Sequence, residues 1–166
     1  MPKQSAGLLL YRESATNLEV LLVHPGGPFW AGKDDGSWSI PKGEFDETED
    51  PRHAAVREFQ EETGASVSGE LLPLGHVKQR SGKVVYAWAM RGDYDPDRLT
   101  SNTFRMEWPP GSGQQREFPV VDRAGWFPLA VAGEKILEAQ LPFLTQLAVV
   151  LGKPRPFVES VPKPRR

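Results

Sequence analysis

Four ionisable side chains crowd six consecutive positions of the 166-residue chain: Arg57, Glu58, Glu61 and Glu62. On a helical wheel at 100° per residue, Ala55, Val56, Phe59 and Thr63 share one arc, and the three glutamates fall in the adjoining arc of roughly 100°. The acids therefore border a buried face. Glu58 and Glu62 form a like-charge i,i+4 pair, which costs a bare helix a few tenths of a kcal/mol. Acids near a helix C-terminus also oppose the macrodipole. A solvated acidic face is the ordinary outcome for a glutamate cluster. Clustered oxygen donors on a rigid helix are equally what a hard divalent cation such as Mg²⁺ or Mn²⁺ requires, and a cation would relieve the repulsion. Arg57, four residues before Glu61 and eight after Glu49, could orient an acid or form a simple i,i+4 salt bridge.

Upstream, Trp38-Ser39-Ile40-Pro41-Lys42-Gly43-Glu44 delivers a strand into a glycine-containing turn. Lys42 could touch a phosphate, and Gly43 would let backbone approach a metal or ligand closely. Trp38, Lys42 and Gly43 are the candidate substrate contacts. A surface turn is the plain alternative for the Lys-Gly pair.

Taken together, Gly43 … Glu49 … Arg57-Glu58-Phe59-Gln60-Glu61-Glu62-Thr63-Gly64-Ala65 resembles the Nudix box, with every fixed position filled at its spacing. Chance would produce such a match in a chain of this length roughly once in a million. The resemblance implies an α/β/α sandwich with a central mixed β-sheet. It also implies metal-dependent hydrolysis of a nucleoside diphosphate linked to another group. By position, Glu58 and Glu62 would be the main metal ligands. Glu61 would be a further ligand or the base that activates water, and Glu49 would be paired with Arg57. The base could also be Glu58 or a loop acid such as Glu107 or Glu117. One departure stands out: Thr48 replaces the usual glycine before Glu49, which changes the turn without removing a ligand.

The box does not choose a substrate. Pro41-Lys42-Gly43 looks like the version in diadenosine polyphosphate hydrolases, and Tyr86 and Trp88 resemble their aromatic strand, although core packing explains both rings equally well. Trp30, Phe104 and Trp108 fall on expected loops, where an aromatic could stack a base. A nucleoside or dinucleoside polyphosphate is the leading expectation. A catalytically silent nucleotide-binding regulator is the alternative, against which stand the intact acids Glu58, Glu61 and Glu62.

These residues need positioning elements. Strands are expected at Ala6–Tyr11 and Glu19–His24, then at Trp38–Ile40, where Pro41 stops the run. Pro51–Thr63 is the best helix signal, with Asp50 as N-cap, Pro51 at the first position and Gly64 as the left-handed stop. Two β segments follow near Val67–Lys78 and Lys83–Arg91, turning at Ser81-Gly82. Residues 93–98 and 103–115 are expected to be irregular, and Gly125-Trp126-Phe127 a short strand. Ala130–Leu137 and Leu141–Leu151 have helical apolar spacing. The expectation is one domain over 1–152 and a Pro-rich basic tail over 153–166.

A net charge of −2 provides no basic field to recruit nucleic acid or a membrane surface. The absence of cysteine excludes a thiol nucleophile and any cysteine metal site. No apolar run approaches the ~20 residues of a membrane helix, so a cytoplasmic protein is expected, as a monomer or a homodimer.

Overall fold

In the computed structural model, residues 3–14 and 17–154 are described. The central strand β1 (Gln4–Glu13) holds two neighbours in succession along one edge. Its end pairs antiparallel with β2 (Leu18–Pro25) only over Tyr11–Glu13. Its beginning pairs antiparallel with β3 (Lys42–Glu44), in the register Ser5↔Glu44, Ala6↔Gly43 and Gly7↔Lys42. Between these pairings β1 and β2 splay apart, and residues 39–41 fill the gap. The Leu8 N–H donates to the Pro41 carbonyl, and Ser39 exchanges two backbone hydrogen bonds with Val23.

The other edge of β1 runs parallel to β5 (Val84–Arg91), which pairs antiparallel with β4 (Leu72–Lys78). Strand β8 (Val121–Pro128) closes the far side against β2, giving the order β4-β5-β1-β2-β8. One parallel pairing among antiparallel ones makes the sheet mixed.

Alternation along β1 assigns the faces. Leu8 and Leu10 pack with Phe59 of helix α1 (Pro51–Thr63), while Leu9 and Tyr11 pack with Phe143, Leu144 and Leu147 of α3 (Leu141–Val150). Helix α2 (Leu129–Lys135) adds Leu129 and Ala132 to that second core. A strand covered on both faces must be apolar at every position, and Leu8-Leu9-Leu10 meets that demand. The result is the expected α/β/α sandwich.

The expected start and stop signals of α1 are all used. Asp50 accepts a hydrogen bond from the Arg52 N–H, Pro51 opens the helix, and Gly64 ends it at φ 81°. Three local expectations change. Trp38–Ile40 makes only isolated bridges, to Val23 and Ile136, and the true strand lies just beyond it at Lys42–Glu44. The pairing partner, β1, lies too far away in sequence for local pattern to reveal it. Residues 103–115 are not irregular throughout: β6 (Thr103–Glu107) and β7 (Gln115–Pro119) form a separate two-stranded sheet. Strand β4 begins at Leu72 rather than near Val67. The tail expectation falls mostly on residues 155–166, outside the described residues.

Candidate active site

Helix α1 and strand β3 meet at Gly43. Its partner Ala6 shares a small cluster with Ala54 and Ala55, so this side of β3 faces α1 at close range. A Cβ on Gly43 would collide with the carboxylate of Glu58. Only glycine lets the helix bring that acid against the strand backbone.

Glu58 and Glu62, one turn apart, are 8% and 4% exposed. Burial pushes both carboxyls up, Glu62 to about 8. Among the described residues, the hydrogen bond of Glu62 is a long one of 3.4 Å from the Lys42 N–H. Lys42 is itself held below the usual lysine range by desolvation, opposed by the Glu62 charge. The two buried groups thus offset each other.

Arg57 is the hub. Its Nε and Nη2 donate to the two oxygens of Glu49 at 2.7 and 2.8 Å, a bidentate fork. Its Nη1 donates to Glu58 at 2.8 Å and to Glu61 at 3.1 Å. The guanidinium therefore ties the loop before α1 to the acids on the helix, and these contacts raise its own basicity. The expected Glu49–Arg57 pairing is present.

The helix end that carries these acids is fixed from outside. The Tyr94 hydroxyl and the Thr100 N–H donate to the Thr63 carbonyl, and the Asn102 N–H donates to the Glu61 carbonyl. These residues satisfy carbonyls that a helix end otherwise leaves open. Sequence reasoning passed over them as loop, because a cap that arrives from 31 or more residues away leaves no local signal.

Of the candidates, Lys42, Gly43, Glu49, Arg57, Glu58, Glu61 and Glu62 come together, with Glu61 on the exposed side. Trp38 does not join them. It is 5% exposed, packs edge-on against Phe127 and His24, and donates its indole N–H to Asp34 at 2.8 Å. It belongs to the core on the α3 face, so the expectation of a substrate-contacting Trp38 is corrected. The loop acids are occupied elsewhere: Glu107 accepts from the Gly111 N–H in its own hairpin turn, and Glu117 lies 4.0 Å from Arg105.

Among the described residues, no three acidic or imidazole groups stand ready-made as a metal cage. Two buried carboxylates with raised pKa, one bonded to Arg57 and the other to a single long donor, nevertheless suit a hard cation. Carboxylate oxygens match Mg²⁺ or Mn²⁺, and the missing side chain of Gly43 lets the Glu58 carboxylate lie directly against the strand backbone.

A NUDIX domain model matches residues 1–147, and the chain belongs to that family. It is a hydrolase of the acid-anhydride class, as are the pyrophosphohydrolases it is similar to. An RNA pyrophosphohydrolase of Caulobacter vibrioides is 44% identical over 124 residues, covering 72% of this chain and 59% of that protein. One from Rhizobium meliloti is 32% identical over 132 residues, covering 66% and 76%. The chain thus spans about three fifths of the length of the first of these. Among solved structures, a Caenorhabditis elegans Ap4A hydrolase in a binary complex superposes with a TM-score of 0.63 at 23% identity, covering 90% of this chain and 98% of that one. That likeness shows the fold.

Proposed function

We propose that the protein hydrolyses a pyrophosphate bond within a nucleoside polyphosphate or dinucleoside polyphosphate, with Mg²⁺ or Mn²⁺ as cofactor. The observation that carries this reading is the buried pair Glu58 and Glu62 beside Gly43, with Lys42 at the same edge. Glu58 and Glu62 would hold the metal. When bound, the cation neutralises phosphate charge and makes a coordinated water more acidic.

The chain's own residues do the rest. Arg57 fixes Glu49, Glu58 and Glu61 relative to one another, so that the acids need not reorganise during reaction. Glu61, exposed and with its carboxylate held among the described residues by the 3.1 Å bond from Arg57, is the acid best placed to take a proton from attacking water. Lys42 supplies positive charge to the phosphate chain. Its side chain lies on the face opposite Gly43 because successive strand residues alternate. A Cβ on Gly7 would contact both Ile40 and Lys42 on that face.

A second reading follows from the 44% identity to an RNA pyrophosphohydrolase: the nucleoside polyphosphate would be the 5′ end of an RNA. A panel of nucleoside triphosphate, dinucleoside tetraphosphate, nucleotide sugar and 5′-triphosphorylated RNA, assayed for phosphate and pyrophosphate with Mg²⁺, tests both. Turnover of none of them by wild type, with ligand binding intact, would leave the silent regulator instead.

A further inference from the structure

Tyr94 reaches the end of α1 from a loop, yet two strands hold its backbone in place. Its N–H donates to the Asp93 side chain at 2.9 Å, and its carbonyl accepts from the Trp126 indole of β8 at 2.8 Å. Asp93 is itself gripped at 2.8 Å by Arg12 of β1, whose guanidinium lies 4.1 Å over the Trp126 ring, a cation–π contact. The phenol ring is buried and meets Phe59 edge-on, with ring centres 6.1 Å apart. The position of the Tyr94 hydroxyl is therefore set by the sheet and not by the helix it touches.

That hydroxyl donates to the Thr63 carbonyl at 2.8 Å. The same carbonyl already accepts from the Thr100 N–H at 3.1 Å, so this helix end would be satisfied without Tyr94. A carbonyl oxygen has two lone pairs, and filling both from separate segments fixes the direction of the peptide as well as pairing it. The Thr63 side chain is held too: its hydroxyl donates to the Phe59 carbonyl at 2.6 Å and accepts from the Ala65 N–H at 3.3 Å. Thr63 directly follows Glu61 and Glu62, so rotating its peptide rotates the turn that carries both acids.

We propose that Tyr94 is a positioning residue for the reaction: through the Thr63 carbonyl it sets the rotation of the last turn of α1, and with it the placement of Glu61 and Glu62. A buried tyrosine hydroxyl needs a partner, and finding one is all that a purely structural role would ask. The second donor on the carbonyl beside the acids points further, because small misplacements of reacting groups are costly in rate. This rests on the hydrolase reading above and deepens it, since it adds to the site a residue from outside the Gly43–Ala65 segment.

The test compares Tyr94→Phe with Leu147→Val, a change in the core on the α3 face, away from the acids. Amide exchange followed by NMR on the full chain in EDTA should show the Glu61, Glu62 and Thr63 N–H groups of Tyr94→Phe exchanging at least fivefold faster, relative to Ala55. Calorimetric titration should show Mg²⁺ bound at least threefold more weakly. With a dinucleoside tetraphosphate, kcat should fall at least tenfold while KM stays within twofold. Leu147→Val should lower the melting temperature and leave Mg²⁺ affinity and kcat within twofold of wild type. Trp126→Phe, which removes the donor to the Tyr94 carbonyl, should move exchange, Mg²⁺ affinity and kcat in the same direction, and it replaces Tyr94→Phe if that variant fails to fold. Mg²⁺ affinity and kcat both within twofold of wild type in Tyr94→Phe overturn the proposal, as do equal losses in Leu147→Val or no measurable Mg²⁺ binding by wild type. If Tyr94→Phe loosens the last turn and weakens Mg²⁺ but wild type cleaves no pyrophosphate substrate, the hydrolase reading falls and the positioning of the acids stands.

Discussion

Gly43 and Glu58 stand so close that a single added Cβ on the glycine would overlap the glutamate carboxylate. The obstacle is the far end of a flexible side chain, so Gly43→Ala should displace Glu58 while leaving the fold in place. Misplacing a catalytic group by about 1 Å costs on the order of 100-fold in rate. Turnover of a polyphosphate substrate should fall by at least that factor, with the melting temperature little changed. Steady-state kinetics beside a thermal melt checks both.

Glu62 makes the metal-free protein sensitive to alkali. Its folded pKa, about 8, lies above the ordinary carboxyl value of 4.5, so the native state holds this proton more tightly than the unfolded chain. The contribution is fully present below pH 4.5 and is lost as pH rises towards 8. Chemical denaturation in EDTA should show stability falling across that window, and Glu62→Gln should flatten the fall. Equal slopes in the two proteins would remove Glu62 as the cause.

If Glu62 holds the cation, metal binding displaces the same proton, because the cation takes the carboxylate form. Titrating Mg²⁺ at pH 7 in buffers of different ionisation enthalpy should therefore reveal proton release by wild type. Glu62→Gln should release fewer protons and bind Mg²⁺ more weakly. Undiminished release by the variant would place the titrating acid elsewhere.

Lys42 and Glu62 are coupled in charge. Removing the cation in Lys42→Met leaves Glu62 buried with less compensation, so its carboxyl should rise further and the acid limb of the kcat/KM profile should move to higher pH. KM should also increase more for a tetraphosphate than for a diphosphate, because longer chains bring more charge within reach. A flat response along that series would deny Lys42 its phosphate contact.

Arg57→Lys keeps the charge but loses the fork that grips Glu49. We expect kcat to fall by about tenfold or more. If Glu49 acts through Arg57, Glu49→Gln added to Arg57→Lys should cost little beyond the worse single change. A strictly additive double-mutant cycle would show that the two act separately.

Trp38 separates what residue type suggests from what packing decides. An aromatic at the mouth of the box looks like a substrate contact, yet it is a core residue whose ring is spent on Phe127 and His24. Trp38→Ala should cost about 3–5 kcal/mol in stability, with little effect on KM in the molecules that remain folded.

Local information was sufficient for the reactive helix. Asp50, Pro51 and Gly64 bound it, and the spacing of Arg57, Glu58, Glu61 and Glu62 places the acids along the edge of its apolar face, because caps and helical periodicity act within a few residues. The family was legible from these residues alone. Long-range pairing decided the rest. The splay of β1 from β2 made Lys42–Glu44 the strand, turned Gly43 towards α1 and Lys42 away from it, and thereby converted surface acids into buried ones with raised pKa. Tyr94, Thr100 and Asn102 came back over dozens of residues to hold the helix end, and β6 found β7 across a Pro-Pro-Gly turn that looked irregular. None of these depends on a neighbour in sequence, and burial, which sets the charge state of Glu62, exists only once the sheet has closed over it.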